Sequence, residues 1–162
     1  MTTGYDIAKT QIGVVEWAQG SNPQVEKYYT AGGSGTQPDN VPWCAAFVNW
    51  CEEEAGGQGT NKLNAQSYLN WGTPVDLADA EEGDVVIFKR GSQAWMGHVT
   101  YYVSHDAKII QCLGGNQNDA VRISGYRNDS KLLGVRRPPA RPKANPFAAL
   151  LEMLAKLFGG KK

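Results

Sequence analysis

Charge of either sign is not in excess in this sequence, which has 16 basic and 16 acidic residues among its 162. The whole chain therefore offers no electrostatic case for a nucleic-acid partner. Cysteine is scarce, at three residues, and histidine scarcer, at two. Cys44 and Cys51 stand seven residues apart on one predicted helix, about 10.5 Å along its axis, too far for a bridge. No Cys-x-x-Cys or His-x-x-x-His pair occurs, so nothing in the spacing suggests zinc. The N-terminus, Met1-Thr2-Thr3-Gly4-Tyr5-Asp6, lacks the basic region and apolar core of a signal peptide, which predicts synthesis in the cytoplasm without one. No internal repeat is visible.

What is present has two halves. Residues 5–18 are predicted as a first helix, and Ser21-Asn22-Pro23 caps a second through Tyr28-Tyr29. The glycine-rich run 31–38 is loop and leads into Asp39-Asn40-Val41-Pro42-Trp43-Cys44, where Asp39 or Asn40 can cap a helix and Pro42 suits its first turn. Phe47, Val48, Cys51 and Ala55 continue that helix as a buried stripe, stopped by Gly56-Gly57. A shorter helix is expected over 61–71. From Glu82 the period changes to two, predicting strands at Asp84–Arg90, Gly97–Ser104 and Lys108–Leu113, then weaker ones at Ala120–Ser124 and Leu132–Arg136. Helices first and an antiparallel sheet second is an α+β order. Residues 1–138 form the domain, and four prolines within 138–146 make 139–146 a stiff linker. Residues 147–162 follow as a basic amphipathic helical tail, its Phe147, Leu150, Leu151, Leu154 and Phe158 sharing one stripe. Twelve helical residues rise only about 18 Å, too short to span a bilayer.

Cys44 falls in the first turn of its helix, where free N–H groups and the dipole favour a thiolate. A cysteine nucleophile needs a base, and His98 opens a strand, with Thr100 and Tyr102 on the same face. His105 sits in a hairpin turn beside Asp106. A turn centred near Asp106 places His98 opposite Gly114, with Asn116 one diagonal further on the same face and Gln111 on the other. Asn116 is then the better orienter of the imidazole, unless a bulge at Gly114-Gly115 changes the register. Each residue also has a plainer reading: Cys44 as core, His98 as a satisfied core histidine, Asp84 as closing the Gly83 turn. Trp43 and Trp95 are candidates to line a groove or, equally, to anchor a core.

The combination is more specific than its parts. Val41-Pro42-Trp43-Cys44-Ala45-Ala46-Phe47-Val48-Asn49-Trp50, Glu82–Phe88, Gly97-His98-Val99 and Gly114-Gly115-Asn116-Gln117 together resemble the papain-like peptidoglycan hydrolases of the NlpC and CHAP type, above all small phage endolysins and cell-wall amidases. The resemblance runs through most of residues 5–137. It implies a papain-like fold, with Cys44 as nucleophile, His98 as base and Asn116 as orienter in a thioester mechanism that cuts an amide bond of the peptide stem. Peptidoglycan would be the partner, in the periplasm or at the cell wall, with no cofactor and a monomeric enzyme. Many CHAP-type enzymes place a glutamate two positions before the asparagine, where this chain has Gly114. The alternating aspartates of a calcium loop are absent, so no metal is expected.

The tail lies outside the resemblance. It reads either as an interfacial helix contacting anionic membrane or as a helix docked on the domain or on a second copy. Two other functions fit the same residues: a wall-binding or virion-associated module without turnover, and a wall-degrading effector toxin.

Overall fold

Thr3 and Asp6 close the first helix reciprocally: the Thr3 hydroxyl accepts the Asp6 N–H at 3.1 Å, and the Asp6 carboxylate accepts the Thr3 N–H at 2.9 Å. In the computed structural model, which describes residues 1–31, 35, 37–39 and 41–140, this helix (α1) covers only Gly4–Thr10. It does not continue to residue 18, because Gly13 takes a φ of +98° and the chain then pairs with a distant loop. Gly13 N–H donates to the Val121 carbonyl at 3.0 Å and Val121 N–H returns to the Val14 carbonyl at 2.8 Å. The local helical pattern yields to this long-range pairing.

Helix α2 (Pro23–Tyr28) has Asn22 as its cap, as expected. Helix α3 (Cys44–Glu54) differs at its start: Trp43 is the cap residue and supplies no side-chain bond, and Pro42 precedes the cap. Asp39 is buried elsewhere, accepting the Trp17 and Asn22 N–H groups at 3.0 and 2.8 Å. Residues Cys44–Glu52 are all buried, so α3 has no solvent face over these turns. Its buried Asn49 and Glu52 are satisfied accordingly. The Asn49 side-chain Oδ1 accepts Tyr68 Oη at 2.6 Å and Thr60 N–H at 2.9 Å, and Glu52 accepts Tyr101 Oη at 2.9 Å. A 3₁₀ helix, Ala65–Asn70, takes the place of the helix expected over 61–71.

The sheet has six strands: β1 (Thr73–Val75), β2 (Val85–Lys89), β3 (Gly97–His105), β4 (Ile109–Gly114), β5 (Arg122–Arg127) and β6 (Leu132–Arg137). Their spatial order is β1-β6-β2-β3-β4-β5, with antiparallel neighbours throughout. Five of these strands match the predicted ones. Strand β1 contains Pro74, which conceals it in the sequence and suits it to the sheet edge. The face carrying Val85, Ile87, Val99, Tyr101 and Leu113 shares a core with the helices. The other face builds a second cluster around Val86, Phe88, Tyr102, Ile110, Cys112 and Val135. Asp84 does more than close a turn: it is buried and receives Arg137 through Nε at 3.1 Å and Nη2 at 3.0 Å, fastening β6 to the turn before β2. No helix among the described residues is long and apolar enough to cross a membrane. The tail expected at 147–162, and most of the linker, lie outside the described residues.

Candidate active site

Backbone alternation brings the thiol to the histidine strand. Tyr102 exchanges its N–H and carbonyl with Asp84 and Gly83, on the β2 side of β3. Peptide groups two apart point the same way, so Val99 N–H points to the opposite side, toward β4. There the β3–β4 register begins only at Tyr101↔Leu113, leaving Val99 beyond the ladder. From there the Val99 N–H acts on the Cys44 thiol, favouring its ionised form. The first turn of α3 thus meets β3 at the peptide joining His98 to Val99.

Gln117 settles the orientation of the imidazole. Both amide hydrogens of Gln117 are committed, one to the Cys112 carbonyl at 3.3 Å and one to the Arg122 carbonyl. Its oxygen therefore faces the site, 3.2 Å from His98 Nε2 and 2.7 Å from Tyr126 Oη. The Tyr126 hydroxyl donates to that oxygen and so accepts from His98 Nε2 at 2.9 Å. Nε2 carries the ring proton, and Nδ1 keeps its lone pair. Nδ1 is buried and has no hydrogen-bond partner among the described residues. Tyr126 also lies over Phe88, with ring centroids 4.7 Å apart, and tilts against His98 at 5.3 Å.

Burial governs both candidate reacting groups. It pushes the His98 imidazole down to about 4, opposed by the Gln117 hydrogen bond and assisted by the Arg90 charge. It pushes the Cys44 thiol up, against the N–H of Val99, the Arg90 charge and the helix-end N–H groups. The thiolate expected from the helix terminus alone is thus outweighed by desolvation. Thiol and neutral imidazole are the resting forms.

The hydrogen bond assigned to Asn116 is made by its neighbour, which the expected register concealed. The β3–β4 hairpin pairs Tyr102↔Cys112 and shifts register before Ser104↔Gln111. Continued regularly, the ladder would set Asn116 opposite His98, but β4 ends at Gly114. Asn116, Asn118 and Asp119 then take left-handed φ values of 55°, 51° and 58°, which short polar side chains tolerate best. This turn swings Gln117 back under the sheet. No hydrogen bond joins Asn116 to His98; Asn116 lines the groove beside it. Gln117 and Tyr126 are the site residues that sequence periodicity missed. Gly114 has no room for the glutamate found there in many CHAP-type enzymes, because a Cβ would overlap Thr100 Oγ1.

Trp43 is not a groove residue. Its side chain has no exposure: it stacks on Tyr28 and donates from Nε1 to Glu16 at 2.6 Å. A Cβ on Gly115 would come within 2.5 Å of its ring, so Trp43 holds the loop carrying Gln117 against the start of α3. Trp95 is 64% exposed, in the segment before β3. That segment is held by Gln66, whose Nε2 donates to the Ala94 and Met96 carbonyls at 2.6 and 2.9 Å. Gln37 is half-buried on the loop leading to α3. Cys44, Cys51 and Cys112 are buried free thiols. No group of three or more His, Cys, Asp or Glu side chains gathers as a metal site among the described residues. An open groove of about 770 Å³ runs from His98 past Asn116 and Tyr126 toward the turn after β5.

Helices packed on an antiparallel sheet, with a cysteine at a helix start and a histidine at a strand start, define a papain-like domain. The family model of the CHAP domain matches residues 36–116, half of the chain, and the chain belongs to that family. No curated protein sequence matches it. Among solved structures, it is similar to a lipoprotein-like NLP/P60-family protein of Staphylococcus aureus, with 17% identity over 86% of this chain and 41% of that one, TM-score 0.55. It is also similar to the peptidoglycan hydrolase RipB of Mycobacterium tuberculosis, with 22% identity over 83% and 62%, TM-score 0.52. A third is RipD of the same organism, described as a non-catalytic NlpC/p60 domain protein adapted to peptidoglycan binding, with 20% identity over 85% and 98%, TM-score 0.53. The chain thus spans 41% and 62% of the length of the first two, and at these identities the likeness is one of fold.

Proposed function

We propose that this protein is a cysteine-dependent peptidoglycan hydrolase that cuts an amide bond of the peptide stem, with Cys44 as nucleophile and His98 as base. The observation that carries this reading is the imidazole itself. Nε2–H is held by Tyr126 and Gln117, while the buried Nδ1 lone pair is unused. A structural histidine in a core has both nitrogens satisfied; a base needs one held and one free. Membership of the CHAP family supports the same reading.

In this mechanism His98 Nδ1 takes the thiol proton as Cys44 Sγ attacks the amide carbonyl. The Cys44 N–H holds the oxyanion, with Gln37 a candidate second donor. His98 then gives the proton to the departing amine as the C–N bond breaks, leaving a thioester. Water, deprotonated by His98, hydrolyses the thioester, and the proton returns to the thiol. Gln117, in place of Asn116, keeps the ring in the required tautomer, and exposed Trp95 is a candidate to stack on the substrate. The site of action would be the cell wall, whether the protein serves as an endolysin or as a secreted effector.

One observation favours a second reading, a wall-binding module without turnover: the Cys44 residue is only 5% exposed. Turbidity of purified sacculi separates the two. Hydrolysis predicts clearing by wild type and none by Cys44→Ala or His98→Ala. Equal clearing by all three would refute the mechanism, and intact muropeptides by mass spectrometry after digestion with wild type would establish the binder.

A further inference from the structure

Residues 1–138 carry 15 acidic and 11 basic side chains, so the domain as a whole is negative. Four of those 11 cations nevertheless line the groove that contains His98: Lys89, Arg90, Arg127 and Lys131. Asp129 is the one acid among the lining residues. Among the described residues, none of the four cations has a carboxylate within ion-pair distance; the pairs formed involve Lys9 and Arg137. The groove is built, because two separate segments supply its charge. Lys89 and Arg90 come from the end of β2, and Arg127 and Lys131 from the end of β5 and the turn after it. The Lys89 N–H donates to the Lys131 carbonyl at 2.7 Å and locks the two segments together. Like charges brought together without counter-ions cost stability, unless a ligand supplies the opposite sign.

We propose that this groove is an anion-selecting subsite that takes a free carboxylate of the stem peptide, on the residue neighbouring the amide to be cut. The inference rests on the proposed hydrolase reading and adds its substrate class, an acidic peptide. Guanidinium groups suit carboxylate and phosphate alike. The wall that carries the cations is continuous with His98, however, so a bound anion belongs to the molecule whose amide reaches the imidazole. A volume of about 770 Å³ is of the size that accepts a short peptide.

The test uses two soluble stem peptides identical except for a free carboxylate or a carboxamide beside the scissile bond. Affinity is measured on Cys44→Ala protein and kcat/KM on active protein, each with and without Arg127→Gln and Lys131→Gln, both exposed positions. The free-carboxylate peptide is expected to bind about tenfold more tightly, the worth of one charge-assisted contact, and the double variant to reduce that preference below about twofold. A preference in binding without turnover by the active protein would uphold the subsite while refuting the hydrolase reading. Equal affinity for the two peptides, or a preference unchanged in the double variant, overturns the proposal. So does displacement of both peptides alike by inorganic phosphate, which would mark a general anion site.

Discussion

The Gln117 side-chain oxygen stands 3.2 Å from His98 Nε2 because both Gln117 amide hydrogens are spent on backbone carbonyls of β4 and β5. The amide cannot flip without abandoning those bonds, so the sheet edge fixes which imidazole nitrogen stays free. Gln117→Ala is expected to lower kcat on sacculi about 10–100-fold, the usual cost of removing an orienting partner. Asn116→Ala should stay within about threefold, since no bond to the ring is lost. The opposite ranking in a rate assay would restore Asn116 as the orienter. Tyr126→Phe should lower the rate and move the His98 limb of its pH profile to lower pH, because one acceptor that favours the protonated ring disappears.

A buried neutral histidine also leaves a mark on stability. His98 titrates near 4 in the folded protein and near its ordinary 6.5 unfolded. Between those values the unfolded chain holds the extra proton, so stability is flat above pH 6.5 and falls as pH drops toward 4. The full loss is about 3 kcal/mol. Chemical denaturation from neutral to about pH 4.5 should show a shallower fall for His98→Gln than for wild type. Parallel curves would mean that His98 titrates normally and is open to water.

Gly115 lets the Gln117 loop pack against Trp43 and Phe47 at the start of α3, where a Cβ has no room. Gly115→Ala forces a methyl against the Trp43 ring and should cost about 1–3 kcal/mol. Activity should fall further than stability explains, because the displaced loop carries Gln117. Thermal melts compared with sacculus clearing below the melting temperature would show it; loss of both in step would make the glycine purely structural.

The basic tail gives a separate prediction, on our proposal that residues 147–162 contact membrane. Removing 139–162 should abolish lysis of intact outer-membraned cells and spare activity on bare sacculi. Equal loss on both substrates would place the tail in the domain's own structure instead.

Sequence alone settled the elements whose signal is local. The short β-branched run Val85 to Lys89 after the Gly83 turn and the alternation of Gly97 to His105 read as strands, and Asn22-Pro23 reads as a helix start. The address of Cys44 at the beginning of α3 was legible too, although its cap was misplaced. The short reach of α1 was not legible, because Gly13 obeys a pairing with Val121 more than a hundred residues away. Nor was the depth of Trp43, since a tryptophan's sequence neighbours do not say whether Tyr28 covers it. The side chain that partners His98 Nε2 lay beyond periodicity altogether. Strand parity holds only while a strand lasts, and β4 stops at Gly114 in a turn made by left-handed Asn116. Where the chain leaves the ladder, the space left by Gly114 and Gly115 against Thr100 and Trp43 decides which side chain returns to His98, and that space exists only in the folded protein.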